Sequence, residues 1–343
     1  MLPAQDVANE QRKEQIDQIR AYYAAVARVD NVGFHIRVAN RQFCKNVATQ
    51  IGLHAATVRG LPRKYRSYTH EALQIGWSKP AVISIASDSP AAVAGIKVGD
   101  QILTLDNEVV PATGTARWMD RWLQRHGEAP VQIMVRRDGV DTLRTVLPVP
   151  ACAIPIRYVS NQTANAYTTN DKIVLNSGIL RVAQSDADLA VIVGHELAHV
   201  TMGHYQKKEQ NAFLGAVGGA LVDGGFMLGG IYTGTTFTRH FEKVGAQAFS
   251  VDFEREADYV GAYYAARAGY DISGSEEVWR RFAQEDPDSI RLATTHPITA
   301  ARFVQMRKVA AEIADKKRQG LPLVPNLKVA HSASKTATRD NPD

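Results

Sequence analysis

From Ser185 to Val200 a polar opening gives way to an almost unbroken apolar run of Leu189, Ala190, Ile192, Val193, Leu197 and Val200, the composition of a buried helix. Ser185 and Asp188 stand at capping-box spacing and predict where that helix starts. A second, alanine-rich helical run opens at Phe253 and stops at Gly269. Asn9 to Arg28 reads as a polar amphipathic helix that packs on the main body. Between these helical stretches the period changes to that of strands. From Pro80 onward, Ala81–Ile85 reads as a strand, Ser89-Pro90-Ala91-Ala92 opens a short helix, and Gln101–Leu105 is again a strand. A helix over Ala116–Arg125 precedes two alternating strands, Val131–Arg137 and Val140–Val146, joined by an Asp138-Gly139 hairpin turn. Lys172–Leu175 is a further strand, so the fold class is α+β, mostly helical in one part and β-rich in another.

The chain has 343 residues, more than one ordinary domain needs, and its character changes near Tyr68. The expected division is an N-terminal helical segment (1–67), a β-rich module (68–149), a mostly helical domain (150–320) and an extended or disordered tail (321–343) rich in Pro, Ser, Thr, Lys and Asn. Net charge is +5, but the basic residues are dispersed among 35 acidic ones, which argues against nucleic-acid binding. A modestly positive surface suits anionic lipid headgroups and acidic polypeptides equally. Residues Asn211 to Tyr232 form a glycine-rich apolar run long enough to cross a bilayer, although Asp223 and the glycines argue against a span. A mobile hairpin or helix pair is expected there, gating the cleft or touching a membrane surface. The amino terminus lacks a basic start followed by an apolar core, and any export signal or lipid-bearing cysteine is expected to have been removed.

Candidate chemistry lies in Gly194-His195-Glu196-Leu197-Ala198-His199-Val200. On a helix the two histidines lie about 40° apart, one turn above the other, so both reach one Zn²⁺ while Glu196 stands beside them as general base. His204, nine residues beyond His195, would sit about 900° round the same helix, on the opposite face, and reads as structural. In Phe253-Glu254-Arg255-Glu256-Ala257-Asp258 the better third ligand is Glu254. Asp258 shares its face and is placed to accept the free N–H of a ligating histidine, whereas Glu256 points elsewhere and reads as a solvated charge.

These stretches, with Gly203-His204 and with Thr295-His296-Pro297 followed by Arg302, resemble the zinc metallopeptidase family that contains the CAAX prenyl protease and the bacterial HtpX and BepA types. The resemblance runs from about Pro150 to Arg302. It implies a zincin-type fold with a small edge sheet and one Zn²⁺ per chain on His195, His199 and Glu254. It also implies Glu196 as base, Asp258 behind a ligand, and His296 and Arg302 facing the cleft, where they stabilise an oxyanion or, for His296, occupy the metal at rest. Asn165-Ala166 match a pair that the family places on an edge strand against an extended substrate. The order Ser89-Pro90-Ala91-Ala92, Ala94-Gly95-Ile96, Val98-Gly99-Asp100 resembles a bacterial-protease PDZ domain inserted over about Tyr68 to Val149. Its candidate carboxylate-binding loop, Leu73-Gln74-Ile75-Gly76-Trp77, departs from the usual Gly-Leu-Gly-Phe.

Cys44 and Cys152 flank this module. A disulfide would close the neck of the insertion and imply an oxidising compartment, and two buried free thiols are the alternative. The expected function is a zinc endopeptidase of a bacterial periplasm or cell envelope, membrane-anchored or not, hydrolysing unfolded or misassembled envelope proteins, with a C-terminal peptide as ligand of the PDZ-like module. The competing expectation is a peptide-binding or chaperone-like protein with a latent zinc site.

Overall fold

The computed structural model describes residues 2–61, 63, 66–169, 171–207, 209–210, 250–285 and 300–327. His296, the 211–232 run and the tail from 328 onward lie outside them. The first element, α1 (Ala4–Ala39), is 36 residues long and extends the expected amphipathic helix at both ends. Its apolar positions serve two cores. Val29, Val32 and Ile36 belong to a cluster with α6 (Asp186–Thr201), α7 (Ser250–Arg267), α8 (Glu276–Glu285) and α9 (Ala300–Arg318). Ile16, Ile19 and Tyr23 pack instead with Val58, Leu61, Ala72, Ile75, Ala81 and Ile83. The helix therefore rests on both bodies rather than on one. Burying each large apolar side chain contributes about 1.5–3 kcal/mol, and that area keeps so long a helix in place.

Strands β1 (Val47–Gln50) and β8 (Val149–Cys152) pair antiparallel, with Val47 opposite Cys152, and form a two-stranded neck. Beyond it, β2 (Leu53–Ala56), β3 (Ala81–Ile85), β4 (Gln101–Leu105), β6 (Val131–Arg137) and β7 (Val140–Val146) make an antiparallel sheet in that order, with β5 (Glu108–Val109) beside β4. Two short helices complete this unit. Ser89 caps α3 (Pro90–Val93) through the Ala92 N–H, and α4 (Thr115–His126) buries Met119, Trp122 and Leu123. The β6–β7 turn places Asp138 and Gly139 at φ 52° and 83°, the backbone that a two-residue hairpin of this kind requires. The sheet takes in Leu53–Ala56, so the β-rich module gathers chain upstream of the expected Tyr68 start.

The third sheet has β11 (Ile173–Asn176) in the middle, parallel to β9 (Ile156–Val159) and antiparallel to the edge strand β10 (Ala166–Thr168). Helix α5 (Ile179–Val182) leads into α6. Residues 321–327, the start of the expected tail, fold back on this body, where Arg267 donates to the Leu323 carbonyl and the Asn326 N–H donates to Tyr259 Oη. Among the described residues no helix is long and apolar enough to cross a membrane.

Cys44 and Cys152 form a disulfide 108 residues apart in sequence, at the root of the neck. By loop-closure entropy a link of that span stabilises by about 4–5 kcal/mol, and removal of such bridges typically costs about 2–5 kcal/mol. We expect the double variant Cys44→Ser, Cys152→Ser to unfold at markedly lower urea concentration than the oxidised wild type. Equal midpoints would show that the β1–β8 pairing alone holds the neck.

Candidate metal centre

Helix α6 begins with the capping box that the spacing predicts. The Asp188 N–H donates to Ser185 Oγ at 3.1 Å and the Ser185 N–H to Asp188 Oδ2 at 2.9 Å. From Leu189 to Ala198 every residue is buried, His195 and Glu196 included. Polar groups in that position must find partners, because an unpaired one costs about 1–3 kcal/mol. The partners come from α7. The two helices meet where each carries a glycine: a Cβ on Gly194 would stand 2.5 Å from the Gly261 carbonyl oxygen, and one on Gly261 would stand 2.5 Å from the His195 nitrogen. With backbones this close, Glu254 and Asp258, seven and three residues before Gly261 on one face of α7, arrive beside the two histidines.

His195 Nε2 lies 3.0 Å from His199 Nε2 and 3.3 Å from Glu254 Oε2, and His199 Nε2 lies 3.4 Å from Glu254 Oε1. Zinc bonds of about 2.0–2.2 Å at tetrahedral angles separate ligand atoms by about 3.3 Å, close to the spacing of the two imidazole nitrogens and of each from one of the two Glu254 oxygens, and one donor atom from each of the three residues lies within 4.8 Å of the others. Two imidazoles and one carboxylate also leave a coordination position free, as catalytic rather than structural zinc sites do. Burial depresses the basicity of both rings, yet at His195 Asp258 and Glu254 outweigh it and push the pKa up to about 9. At His199 burial prevails, aided by the His195 charge, and the pKa falls to about 4.

Behind the ligands, Asp258 Oδ1 lies 3.0 Å from His195 Nδ1, and Arg302 grips the same carboxylate with Nε at 2.6 Å and Nη2 at 2.8 Å. Arg302 also reaches Glu254 at 3.3 Å and lies over the Trp279 ring, 0% exposed. The expected cleft-facing Arg302 is therefore corrected. Its charge is taken up by Asp258 and Glu254, and the side chain is buried behind the two histidines rather than exposed to a cleft.

Glu196, on the next position of α6, accepts from Thr168 Oγ1 at 2.7 Å. Thr168 ends the edge strand β10, which places Ala166 and, just before it, Asn165 in line with the metal residues; the Asn165 carbonyl accepts from the Asn176 N–H. Sequence reasoning missed Thr168, whose one signal was its place three residues after Asn165. His204 and Glu256 are also corrected. The α6 helix ends at Thr201, so the rotation that placed His204 on the far face does not continue. It returns to within 2.9 Å of His199 Nδ1, with Glu256 at 2.8 Å on its other side.

A second cleft, of about 310 Å³, lies between the edge of β2 and α4 on one side and α1 and β9 on the other. Gln50, Ile51, Gly52 and Leu53 form its head, and Arg37 donates to Gln50 Oε1 at 3.2 Å. Asp120 faces the same space with its carboxyl pKa raised by burial against the charges of Arg37 and Arg157. The expected loop Leu73–Trp77 does not line the cleft: Leu73 closes α2 (Arg66–Leu73) and Ile75 is buried in the core shared with α1. The loop at the head of the edge strand is Gln50–Leu53 instead, since β1 leads straight into β2.

Residues 148–310 match the model of Peptidase family M48, and residues 50–147 match that of the PDZ domain. That part of the chain, which carries His195, His199 and Glu254, is similar to peptidase family M48. A Vibrio cholerae protein provisionally named a beta-barrel assembly-enhancing protease is 25% identical, over 68% of this chain and 50% of its own length. The beta-barrel assembly-enhancing protease of Escherichia coli K12 is 25% identical over 45% of the chain and 34% of its own. A mitochondrial metalloendopeptidase OMA1 of Arabidopsis thaliana is 30% identical over 37% and 25%. The chain thus spans half or less of these relatives. Among solved structures, the HtrA3 PDZ domain bound to a phage-derived ligand is 22% identical over 31% of the chain and 88% of that domain, at a TM-score of 0.24, too slight a likeness to argue from.

The Gly194–Gly261 contact gives a direct test. Gly261→Ala puts a methyl group against the His195 backbone, and overpacking of this kind costs about 1–3 kcal/mol. We expect lower thermal stability together with weaker zinc binding, measured by chelator competition. Zinc affinity equal to wild type would mean that the ligands do not depend on this crossing.

Proposed function

We propose that this chain is a zinc-dependent endopeptidase with Glu196 as its general base, holding one Zn²⁺ on His195, His199 and Glu254. The observation that carries the reading is the convergence of the three side chains, with the two imidazoles 3.0 Å apart and each within 3.4 Å of a Glu254 oxygen, next to the Glu196 carboxylate on the histidines' helix. A zinc ion bound there supplies Lewis acidity toward the scissile carbonyl and toward the attacking water. The protein's residues do the rest. Thr168 holds one oxygen of Glu196 in place, which orients the carboxylate that takes the water's proton and delivers it to the departing amine. Asp258, itself clamped by Arg302, fixes His195 with its Nδ1 proton inward. The outer edge of β10 at Asn165 and Ala166 offers backbone groups to an extended chain, which favours unfolded polypeptides over folded ones.

We assign the site of action to the bacterial periplasm or cell envelope and the substrates to unfolded or misassembled envelope proteins. The Cys44–Cys152 bridge supports an oxidising compartment, and the similarity to bacterial beta-barrel assembly-enhancing proteases supports a role in the cell envelope. The cleft between β2 and α4 is assigned to a polypeptide C-terminus that adds as a strand to β2, with Arg37 beside its carboxylate.

Purified protein supplied with zinc should cleave casein, and Glu196→Gln should abolish cleavage while binding zinc as well as wild type. Thr168→Val should lower kcat by about tenfold, less than the roughly 100-fold or more that a positioned general base contributes, because Glu196 itself remains. Cleavage by Glu196→Gln at the wild-type rate would remove Glu196 from its role. For the cleft, a peptide with a free C-terminus should bind more tightly than its C-terminal amide, and Arg37→Ala should erase the difference. Equal affinities for acid and amide would reject a carboxylate site.

A further inference from the structure

We propose that Glu256 and His204 form a positioning relay that fixes the tautomer of His199, so that its Nε2 lone pair is presented to the metal. This inference rests on the reading of His195, His199 and Glu254 as a zinc site.

The chain builds this arrangement from a break in α6. After Thr201 the backbone turns at Gly203, with φ 67°, and the Lys207 N–H donates to the Gly203 carbonyl. That turn folds His204 back beneath the helix, 3% exposed and stacked on the Phe253 ring at 4.6 Å. Its Nδ1 lies 2.9 Å from His199 Nδ1 and its Nε2 lies 2.8 Å from Glu256 Oε2. Glu256 leaves α7 at about 200° from Glu254, away from the ligand face, and meets His204 because the 202–207 turn crosses the start of that helix.

The hydrogens along this line follow from the donor inventory. An ionised carboxylate only accepts, so a proton sits on His204 Nε2. A neutral His204 then carries a lone pair on Nδ1. Two imidazole nitrogens 2.9 Å apart share one hydrogen, so His199 Nδ1 must donate it, and the lone pair of His199 is left on Nε2. That atom is the one facing His195 and Glu254. The opposite assignment, with His199 accepting at Nδ1, would put a hydrogen on Nε2 and close the ligand position. Glu256 therefore selects the tautomer through one intervening ring, as Asp258 selects that of His195 directly. Both carboxylates, and the third ligand between the two in function, belong to the same turn and a half of α7.

The test is zinc affinity, measured on the full chain by competition with a chromophoric chelator, with the d–d spectrum of the cobalt(II) form as a second readout. Glu256→Ala should weaken zinc binding about 10–100-fold, the usual loss when such an outer partner is removed. Glu256→Gln should restore most of it, because the amide oxygen still accepts from His204. His204→Phe should weaken binding as much as Glu256→Ala, and the double variant should be no weaker than His204→Phe alone, since one relay is lost only once. Should His204→Phe fail to fold, the half-exposed Glu256 still gives the comparison of Ala with Gln. Wild-type zinc affinity and an unchanged cobalt spectrum in Glu256→Ala would overturn the relay, as would fully additive losses. A wild type that binds no zinc would instead overturn the metal centre itself.

Discussion

The backbone contact between α6 and α7 at Gly194 and Gly261 sets everything else in the peptidase unit. Residues at i, i+4 and i+7 of a helix share one face, so closing α7 onto α6 at Gly261 forces Glu254 and Asp258 against the imidazoles one and two turns away. Any side chain at either glycine would push the helices toward ordinary interaxial distances of about 8–10 Å, and ligand atoms held 3.0–3.4 Å apart would separate. The glycines give up helix propensity, roughly 1 kcal/mol each against alanine, in exchange for that approach.

Such an approach concentrates charge where water is excluded. Glu196, Glu254, Asp258, His195 and Arg302 are all buried, and isolated burial of any one of them would be prohibitive. The arrangement survives because the charges answer one another. Arg302 lies between Asp258 and Glu254, His195 lies between the same two carboxylates, and Trp279 closes the side with its ring over the guanidinium. Held this way, each side chain keeps one rotamer, which is what a site needs if its geometry is to be ready before substrate arrives. Arg302 spends its charge on this internal balance and so is withdrawn from the cleft.

Helix α1 performs the same service on a larger scale. Its C-terminal half is built into the core that carries α6 and α7, and its N-terminal half into a core shared with β3. The wall it presents to the β2–α4 cleft includes Asp30 and Arg37, and the other wall on the peptidase side is β9, the outer strand of the sheet whose far edge is β10. The β2 edge of the cleft therefore faces the same layer that positions Thr168 beside Glu196. With the disulfide and the β1–β8 pair fixing the neck, the PDZ unit is tied to the peptidase unit at two separated places, which restrains rotation more than a single linker would.

What the sequence makes legible is what local physics decides. The capping box at Ser185, the Asp138-Gly139 turn and the alternation in β6 and β7 each rest on residues a few positions apart, and each element forms where its pattern places it. The convergence of His195, His199, Glu254 and Asp258 was legible because helix periodicity turns spacing into direction, provided the helix is continuous. His204 shows the condition failing. Gly203 breaks α6, the angular argument loses its axis, and a residue assigned to the far face returns to touch a ligand. Thr168, Gly261 and the true head of the β2 edge share another difficulty: their roles exist only in contacts across the fold. A threonine near an edge strand, a glycine within a helix and an Ile-Gly pair carry no distinguishing local pattern, and it takes the packing of β10 on α6, of α7 on α6 and of α1 over the cleft to give them their functions.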